Sequence, residues 1–181
     1  EDDFFNKFGA LARISPVLPL FFPIRQRPKF HMEGLYMVPE IEAGTTRMQP
    51  VFVGDVAEAL SRILTAPAPG SAGKTYELGG PNVYSFRELM ELIAKETQYK
   101  RHLVPVPYFA ADMMGFFMQF MPEPMFTADQ AKMLRADNVV SEHALKLSDL
   151  GISATPAELI LPTYMHRFRR ARTDSTPHAQ T

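Results

Sequence analysis

The segment 48–60 constrains the fold more than any other part of the chain, because a short apolar stretch leads there directly into a helical pattern. The apolar run at 48–53 predicts a strand. Asp55 stands at the junction, where a carboxylate can accept hydrogen bonds from the first N–H groups of a helix. We therefore interpret Asp55 as a helix cap rather than a catalytic residue. The apolar residues that follow recur at helical spacing and predict one buried face: Val56, Ala59, Leu60, Ile63 and Leu64.

Composition excludes several classes of site. The chain has 181 residues, 46% of them hydrophobic, with a net charge of −1 and no cysteine. This length favours one compact domain, and the charge does not favour nucleic acid as a partner. Without cysteine there are no disulfides or thiolate metal ligands, and the histidines do not cluster with carboxylates at ligand spacing. No apolar run reaches the length of about 20 residues that a membrane-spanning helix needs.

The periodicity predicts several further elements. Residues 3–14 form a helical pattern that Pro16 and Pro19 close, and residues 20–46 have no clear period and are expected to be a long irregular loop. Short strands are predicted at 75–78 and 102–106. Between them, Ser85 and Glu88 form a capping box, which opens a helix with these residues facing inward: Phe86, Leu89, Met90 and Ile93.

The last third of the chain is predicted to be mainly helical. Thr127 with Gln130 opens one helix, and Ser141 precedes a short one that ends near 150–151. Thr155 is the expected N-cap of the final helix, followed by Pro156 at its first position. The polar tail at 173–181 is expected to be disordered.

Two features favour contact with a partner, but each has a simpler explanation. The helix predicted at 108–121 is apolar on nearly all sides, so it is either buried in the core or pressed against a membrane surface or another subunit. The run at 166–172 contains His166 and four arginines, and it either ends a solvated helix or contacts acidic lipid or an acidic partner.

Four segments occur in one order and together resemble the NAD(P)-dependent epimerase/dehydratase family, the extended short-chain dehydrogenases. They are residues 1–8, residues 49–60 with the run Val53-Gly54-Asp55-Val56-Ala57, residues 78–81 with Leu78-Gly79-Gly80-Pro81, and residues 149–159. The branch that the chain resembles contains the nucleotide-binding accessory subunit of respiratory complex I and its alphaproteobacterial relatives.

The resemblance implies an α/β fold in which a Rossmann domain is joined to a smaller C-terminal lobe over the cleft. Residues 1–172 would be that lobe, mainly helical with a few short strands and with a late Rossmann strand near 75–79. The glycine-rich fingerprint and the Tyr-x-x-x-Lys pair would lie upstream of Glu1, in an N-terminal nucleotide-binding half absent from this sequence. The full-length protein would hold NADP(H) or NAD(H), and residues 1–181 alone would hold neither.

The resemblance also implies partners and a location. The partners would be complex I subunits or the membrane surface, with no metal and no nucleic acid. The protein would be peripheral, on the cytoplasmic side of the bacterial inner membrane or on the mitochondrial matrix side. In family members the segments that match 4–8 and 47–53 border the substrate cleft, which makes Asn6, Arg47 and Gln49 the polar candidates there. No residue is assigned a catalytic or cofactor-binding role.

Two functions remain open from the sequence. The first is a non-catalytic accessory or assembly subunit of a membrane NADH:quinone oxidoreductase. The second is an NAD(P)-dependent reductase, epimerase or dehydratase that acts on a sugar nucleotide or an isoprenoid-type substrate.

Overall fold

The computed structural model describes residues 3–23, 29–33, 36–40, 42–66, 71–118 and 128–169. These residues form six α-helices, two 3-10 turns and six short strands. The α-helices are α1 (Asp3–Ile14), α2 (Val53–Thr65), α3 (Phe86–Thr97), α4 (Tyr108–Met118), α5 (Ala128–Met133) and α6 (Ala157–Met165). The 3-10 turns are Leu147–Leu150 and His166–Phe168.

The strands pair two by two, in three small sheets. They are β1 (Val17–Phe22), β2 (Lys29–Glu33), β3 (Tyr36–Glu40), β4 (Arg47–Met48), β5 (Tyr84–Ser85) and β6 (His102–Pro107). The pair β1–β6 is parallel, whereas β2–β3 and β4–β5 are antiparallel. Mixed helices and short strands with one parallel pair are compatible with part of an α/β fold.

The main core lies between α1, α3, α6 and the β1–β6 pair. Its fully buried side chains come from α1, β1, α3, α4 and α6: Ala12, Leu18, Leu20, Phe86, Leu89, Met90, Ile93, Ala111, Leu161 and Met165. A second, much smaller cluster joins Ala59 of α2 to Leu147, Leu150 and Ile152. The molecule therefore has one substantial core and a satellite under α2.

Three predicted elements agree well with the structure. α1 covers the predicted residues, and β6 covers the predicted strand with one more residue at its end. The capping box of α3 is confirmed, because the Ser85 hydroxyl accepts from the Glu88 N–H while the Glu88 carboxylate accepts from the Ser85 N–H. The predicted inward face of α3 is buried.

The prediction of an irregular loop at 20–46 is wrong in its described parts, which contain the end of β1 and the β2–β3 pair. Pro16 and Pro19 had suggested a break, yet Pro19 lies within β1. A proline is tolerated there because β1 pairs on one side only.

The strands predicted on either side of α2 are shorter in the structure. Of 48–53, only Met48 belongs to a strand, and α2 already begins at Val53. The predicted strand at 75–78 is reduced to a single bridge between Tyr76 and Leu145. In place of a ladder, the Glu77 N–H donates to the Leu145 carbonyl at 2.8 Å.

The apolar helix α4 is not a core helix. Ala111 is fully buried, but the large side chains on the rest of its surface are about half exposed: Phe109, Met113, Met114, Phe116 and Phe117. The core interpretation of this helix is therefore wrong for its described residues, and the predicted end at 119–121 lies outside them. Within the described part of the chain, no helix combines the length and the apolar character needed to cross a membrane.

Several predictions near the C-terminus fall outside the described residues, among them the cap at Thr127, Arg170 and Arg172, and the tail 173–181. Ser141 precedes a turn, and the 3-10 turn ends at Leu150, with Gly151 at a φ of 71°. The final helix starts at Ala157, with Pro156 rather than Thr155 at the capping position.

Candidate functional site

An apolar groove of about 510 Å³ runs between α1, the segment that leads into α2, and α6. Its walls are mostly aromatic and aliphatic, with a few polar side chains, which is the usual character of a small-molecule pocket. The lining residues are Phe5, Asn6, Pro50, Val51, Phe52, Val53, Thr155, Ala157, Ile160, Leu161, Thr163, Tyr164 and Arg167.

Asp55 fixes one wall of this groove to another. Its buried carboxylate accepts from the Thr155 N–H at 2.6 Å and from the Thr155 hydroxyl at 2.9 Å. The prediction that Asp55 caps α2 is wrong: the cap is Phe52, and Asp55 is the third helical residue. Thr155, predicted to cap α6, instead uses its hydroxyl to reach Asp55, so both residues join α2 to the start of α6.

Gln49 ties together three separate segments beside the groove. Its amide nitrogen donates to the Gly80 carbonyl at 2.7 Å, and its amide oxygen accepts from the Val140 N–H at 2.9 Å. Gly80 lies so close to this segment that a Cβ on it would come within 2.1 Å of the Pro50 carbonyl oxygen. Glycine is therefore required at position 80 for the two backbones to approach.

The three predicted cleft residues are not brought together. Asn6 lines the groove and accepts from the Arg167 guanidinium at 2.5 Å. Arg47 is exposed and pairs with Asp137 at 2.8 Å, and the Gln49 amide is engaged as described above. Neither Arg47 nor Gln49 is among the groove residues, and a role in substrate binding stays a prediction for all three.

Arg167 is the one charged residue of the groove wall that the structure describes. Its guanidinium carbon lies 5.1 Å from the ring centre of Phe168 and 5.9 Å from that of Tyr164, within cation–π range. The predicted basic run therefore contributes at least one residue to the groove. Arg169 does something different, because it donates to the Glu96 carbonyl at 2.9 Å and pairs with the Glu96 carboxylate.

The groups with a shifted pKa lie away from the groove. Hydrogen bonds from the Ser85 backbone and hydroxyl lower the pKa of Glu88, and those from Ser141 do the same for Glu77. Burial, followed by the hydrogen bond to Glu158, raises the pKa of Tyr84. Each of these shifts has a structural cause, and none marks an acid or base aimed into the groove. Among the described residues, no group of three or more histidines or carboxylates could hold a metal.

Sequence reasoning missed the aromatic and aliphatic part of the groove. Phe52 falls in the predicted strand at 48–53, and Ile160 and Tyr164 fall in the predicted final helix, so none of them was assigned to a site. A usable signal was the mismatch between the predicted strand and Pro50, which removes a backbone donor and ends the ladder. Segment 50–52 therefore lies outside the sheets and forms one wall of the groove.

The fold is compatible with part of an α/β protein, and the groove has the character of a small-molecule pocket. Comparison with known proteins gives more specific information about the class of protein. No family model matches the chain. It is similar to curated subunits of mitochondrial NADH dehydrogenase. The NADH dehydrogenase [ubiquinone] 1 alpha subcomplex subunit 9 of Arabidopsis thaliana is 39% identical over 124 residues, which are 64% of this chain and 31% of that protein.

Two further relatives extend the similarity along the chain. The subunit of the same name from Dictyostelium discoideum is 29% identical over 92% of this chain and 42% of its own length. The NADH-ubiquinone oxidoreductase 40 kDa subunit of Neurospora crassa is 29% identical over 87% of this chain and 44% of its own.

The chain thus spans less than half the length of the relatives compared. These relatives confirm the predicted resemblance to the complex I accessory subunit. Membership of the epimerase/dehydratase family stays a prediction, because no family model supports it.

Proposed function

We propose that this chain is the C-terminal part of an accessory subunit of a membrane-bound NADH:quinone oxidoreductase, with a structural or assembly role. The observation that carries the proposal is the similarity to subunit 9 and to the 40 kDa subunit, which together extend over most of the chain. The subunits of such a complex are the proposed partners. The proposed location is peripheral, on the cytoplasmic side of the bacterial inner membrane or on the mitochondrial matrix side.

The exposed face of α4 supports a role in assembly. Five large apolar side chains on one short helix are about half exposed, and contiguous apolar surface of this kind usually marks a contact. Met113 and Phe117 lie four positions apart on α4, so they share one side of the helix. Methionine and phenylalanine also adapt well to irregular partner surfaces.

The proposal includes a nucleotide, held by polypeptide outside this sequence. NADP(H) or NAD(H) would be bound by a Rossmann domain, and residues 1–172 would cover the cleft as its lid lobe, with residues 75–79 joining the sheet of that domain. Titration of NADPH into the 181-residue chain by calorimetry should give no tight binding. Tight binding by this chain alone would contradict the division into a binding half and a lid.

Assembly can be tested directly in membranes solubilised with a mild detergent. The protein, tagged and expressed from its complete gene, should co-migrate with NADH dehydrogenase activity on a native gel. The double variant Met113→Ser/Phe117→Ser should lose this co-migration while keeping its thermal stability. Val83→Ser is the matched control, because Val83 is similarly exposed but lies outside α4. A protein that migrates alone in all cases would contradict the proposal.

The groove favours a second candidate, an NAD(P)-dependent reductase, epimerase or dehydratase. Its volume of about 510 Å³ is within the range of small-molecule pockets, and an isoprenoid-type substrate would suit its apolar walls. Asn6 would then contact the polar end of the substrate. Turnover of NADPH by the protein from the complete gene, lost in the variant Ile160→Trp that fills the groove, would favour this candidate over a purely structural role.

A further inference from the structure

Four elements meet at one end of the molecule, away from the groove. The Arg101 side chain donates through Nε to the Ala12 carbonyl at 2.6 Å and through Nη2 to the Arg13 carbonyl at 3.3 Å, at the C-terminal end of α1. The His102 N–H donates to the Pro16 carbonyl at 3.1 Å, so β6 begins beside the start of β1. The end of α3 leads into the same place through residues 98–101.

A shallow, open groove of about 480 Å³ at this end is lined by basic side chains. Lys95, Lys100 and Arg101 line it together with a single acidic residue, Glu91. Glu96, the next acidic residue along α3, is already paired with Arg169 at 3.3 Å. Positive charge therefore exceeds negative charge here, although the whole chain has a net charge of −1.

The three basic side chains differ in the contacts that they make. Arg101 is held by the α1 carbonyls, and its guanidinium carbon lies 4.2 Å from the ring centre of Tyr99, which fixes the position of both side chains. Lys95 and Lys100, by contrast, form no ion pair within the described part of the chain. Two flexible ammonium groups are thus available on a scaffold that Arg101 keeps rigid.

Two exposed aliphatic side chains lie on the segment that Arg101 and His102 contact. Ile14, the last residue of α1, is 71% exposed, and Val17, which pairs with His102 in the β1–β6 register, is 40% exposed. Arg13, in the last turn of α1, is exposed as well. Basic and exposed aliphatic side chains at one end of the molecule match the interface of a bilayer, where charge meets the headgroups and apolar groups reach the acyl boundary.

We propose that this basic end, comprising Arg13, Ile14, Val17, Lys95, Lys100 and Arg101, docks on an anionic bilayer surface through the phosphate groups of its lipids. The proposal rests on the proposed function only in that a membrane-bound assembly brings the chain close to lipid. Lys95 and Lys100 supply the electrostatic attraction, and Ile14 inserts at the level of the headgroups. The open, shallow shape of the groove suits many lipid phosphates in a plane better than one enclosed ligand.

Co-sedimentation with vesicles tests the proposal, using the protein from its complete gene. Binding should be strong to phosphatidylcholine vesicles that contain phosphatidylglycerol, weak to phosphatidylcholine alone, and reduced by high salt. Lys95→Gln/Lys100→Gln should weaken the binding about 25-fold, since each basic residue near the surface contributes about fivefold. The matched control Lys74→Gln/Lys132→Gln removes the same charge from exposed lysines elsewhere and should stay within about twofold.

Three results would overturn the proposal. They are equal binding to neutral and anionic vesicles, unchanged binding by Lys95→Gln/Lys100→Gln, and full release by inorganic phosphate at constant ionic strength, which would identify a free phosphate ligand instead. Ile14→Ser should reduce binding at high salt more than at low salt, because apolar insertion is not screened. Native gels assay the assembly with complex I subunits separately, so failure of the lipid contact and failure of the proposed function give different results.

Discussion

The helices α2 and α3 have similar lengths and the same kind of amphipathic pattern, yet the apolar face of α3 is buried and much of that of α2 is exposed. α3 buries its predicted face completely, with Leu89 and Ile93 at 1% and 0% exposure. α2 buries Asp55 and Ala59 but leaves Leu60 and Leu64 at 56% and 81% exposure. An apolar stripe predicts that a helix face is buried against other residues. It does not show whether those residues belong to this 181-residue sequence or to other polypeptide.

The difference follows from what lies opposite each helix. α3 faces α1, β1 and α6, which fill the main core. Among the described residues, α2 packs mainly on the segment 147–155, which supplies a satellite cluster and the Thr155 contact of Asp55. The uncovered stripe of α2 and the single bridge at Tyr76 lie on consecutive segments of the chain. We expect both to meet additional polypeptide, in line with relatives more than twice as long as this chain.

The largest change in stability is expected for a substitution in the core that α3 packs against. Leu89→Ala should lower the free energy of unfolding by about 3 kcal/mol, because it removes a fully buried side chain and leaves a cavity. Chemical denaturation measures this change. A loss below about 1 kcal/mol would mean that α3 is not packed more tightly than α2, and the comparison would fail.

The next effect concerns the link between α2 and α6. Asp55→Ala should cost about 2 kcal/mol, because the Thr155 N–H loses its acceptor. Thr155→Val is the matched control: it keeps the N–H bond and loses only the hydroxyl bond, so it should cost about 1 kcal/mol. Denaturation curves of the two variants separate these contributions, and equal costs would show that the backbone bond does not hold α6.

A smaller effect is expected at the capping box of α3, which α2 lacks. Ser85→Ala should cost about 1 kcal/mol at neutral pH. The pKa of Glu88 is lowered first by the Ser85 backbone N–H, which this variant keeps, and then by the Ser85 hydroxyl, which it removes; the pKa should therefore rise only part of the way toward its ordinary value of 4.5.

Because the folded pKa is the lower one, the contribution of Glu88 to stability is present above its ordinary pKa. It is lost as the pH falls through the folded value. NMR titration of the Glu88 carboxyl carbon checks the shift. An unchanged pKa in Ser85→Ala would contradict the capping geometry.

The smallest effect is expected on the exposed face of α2. Leu64→Ser should change the stability of the 181-residue chain by less than about 0.5 kcal/mol, because the side chain gains little burial on folding. The same variant in the protein from the complete gene should cost more if other polypeptide covers α2. Paired thermal melts compare the two, and equal small effects in both would argue that nothing packs on this face.

Local signals predicted the parts of the fold that depend on neighbouring residues. The Ser85 capping box, the α1 stripe and β6 could be predicted because each is specified within about a dozen residues. β1 was missed because Pro19 normally disfavours a strand, and only its pairing on one side makes that proline harmless. The burial of α4 stayed open, because an apolar helix has the same sequence pattern whether its apolar faces are covered by its own chain or by a partner.

The groove was harder to predict than the fold. Asn6 lines the groove, whereas Arg47 and Gln49 are held by Asp137, Gly80 and Val140, which no sequence spacing indicates. Asp55 was predicted to cap α2, but its carboxylate binds Thr155, which is 100 positions away. Contacts between residues so far apart in the sequence depend on the packed tertiary structure, and the local sequence pattern does not predict them.

These long-range bonds determine when the groove can form during synthesis. The partners of Gln49 and Asp55 lie 91 and 100 positions away. At about 5–20 residues per second, the ribosome needs several seconds to make the distance between two such partners. During that interval the phenylalanines of α1 and the stripe of α2 are already exposed outside the ribosome. The nascent chain therefore has a period of vulnerability to aggregation, and we expect chaperones to bind it before the C-terminal helix closes the groove.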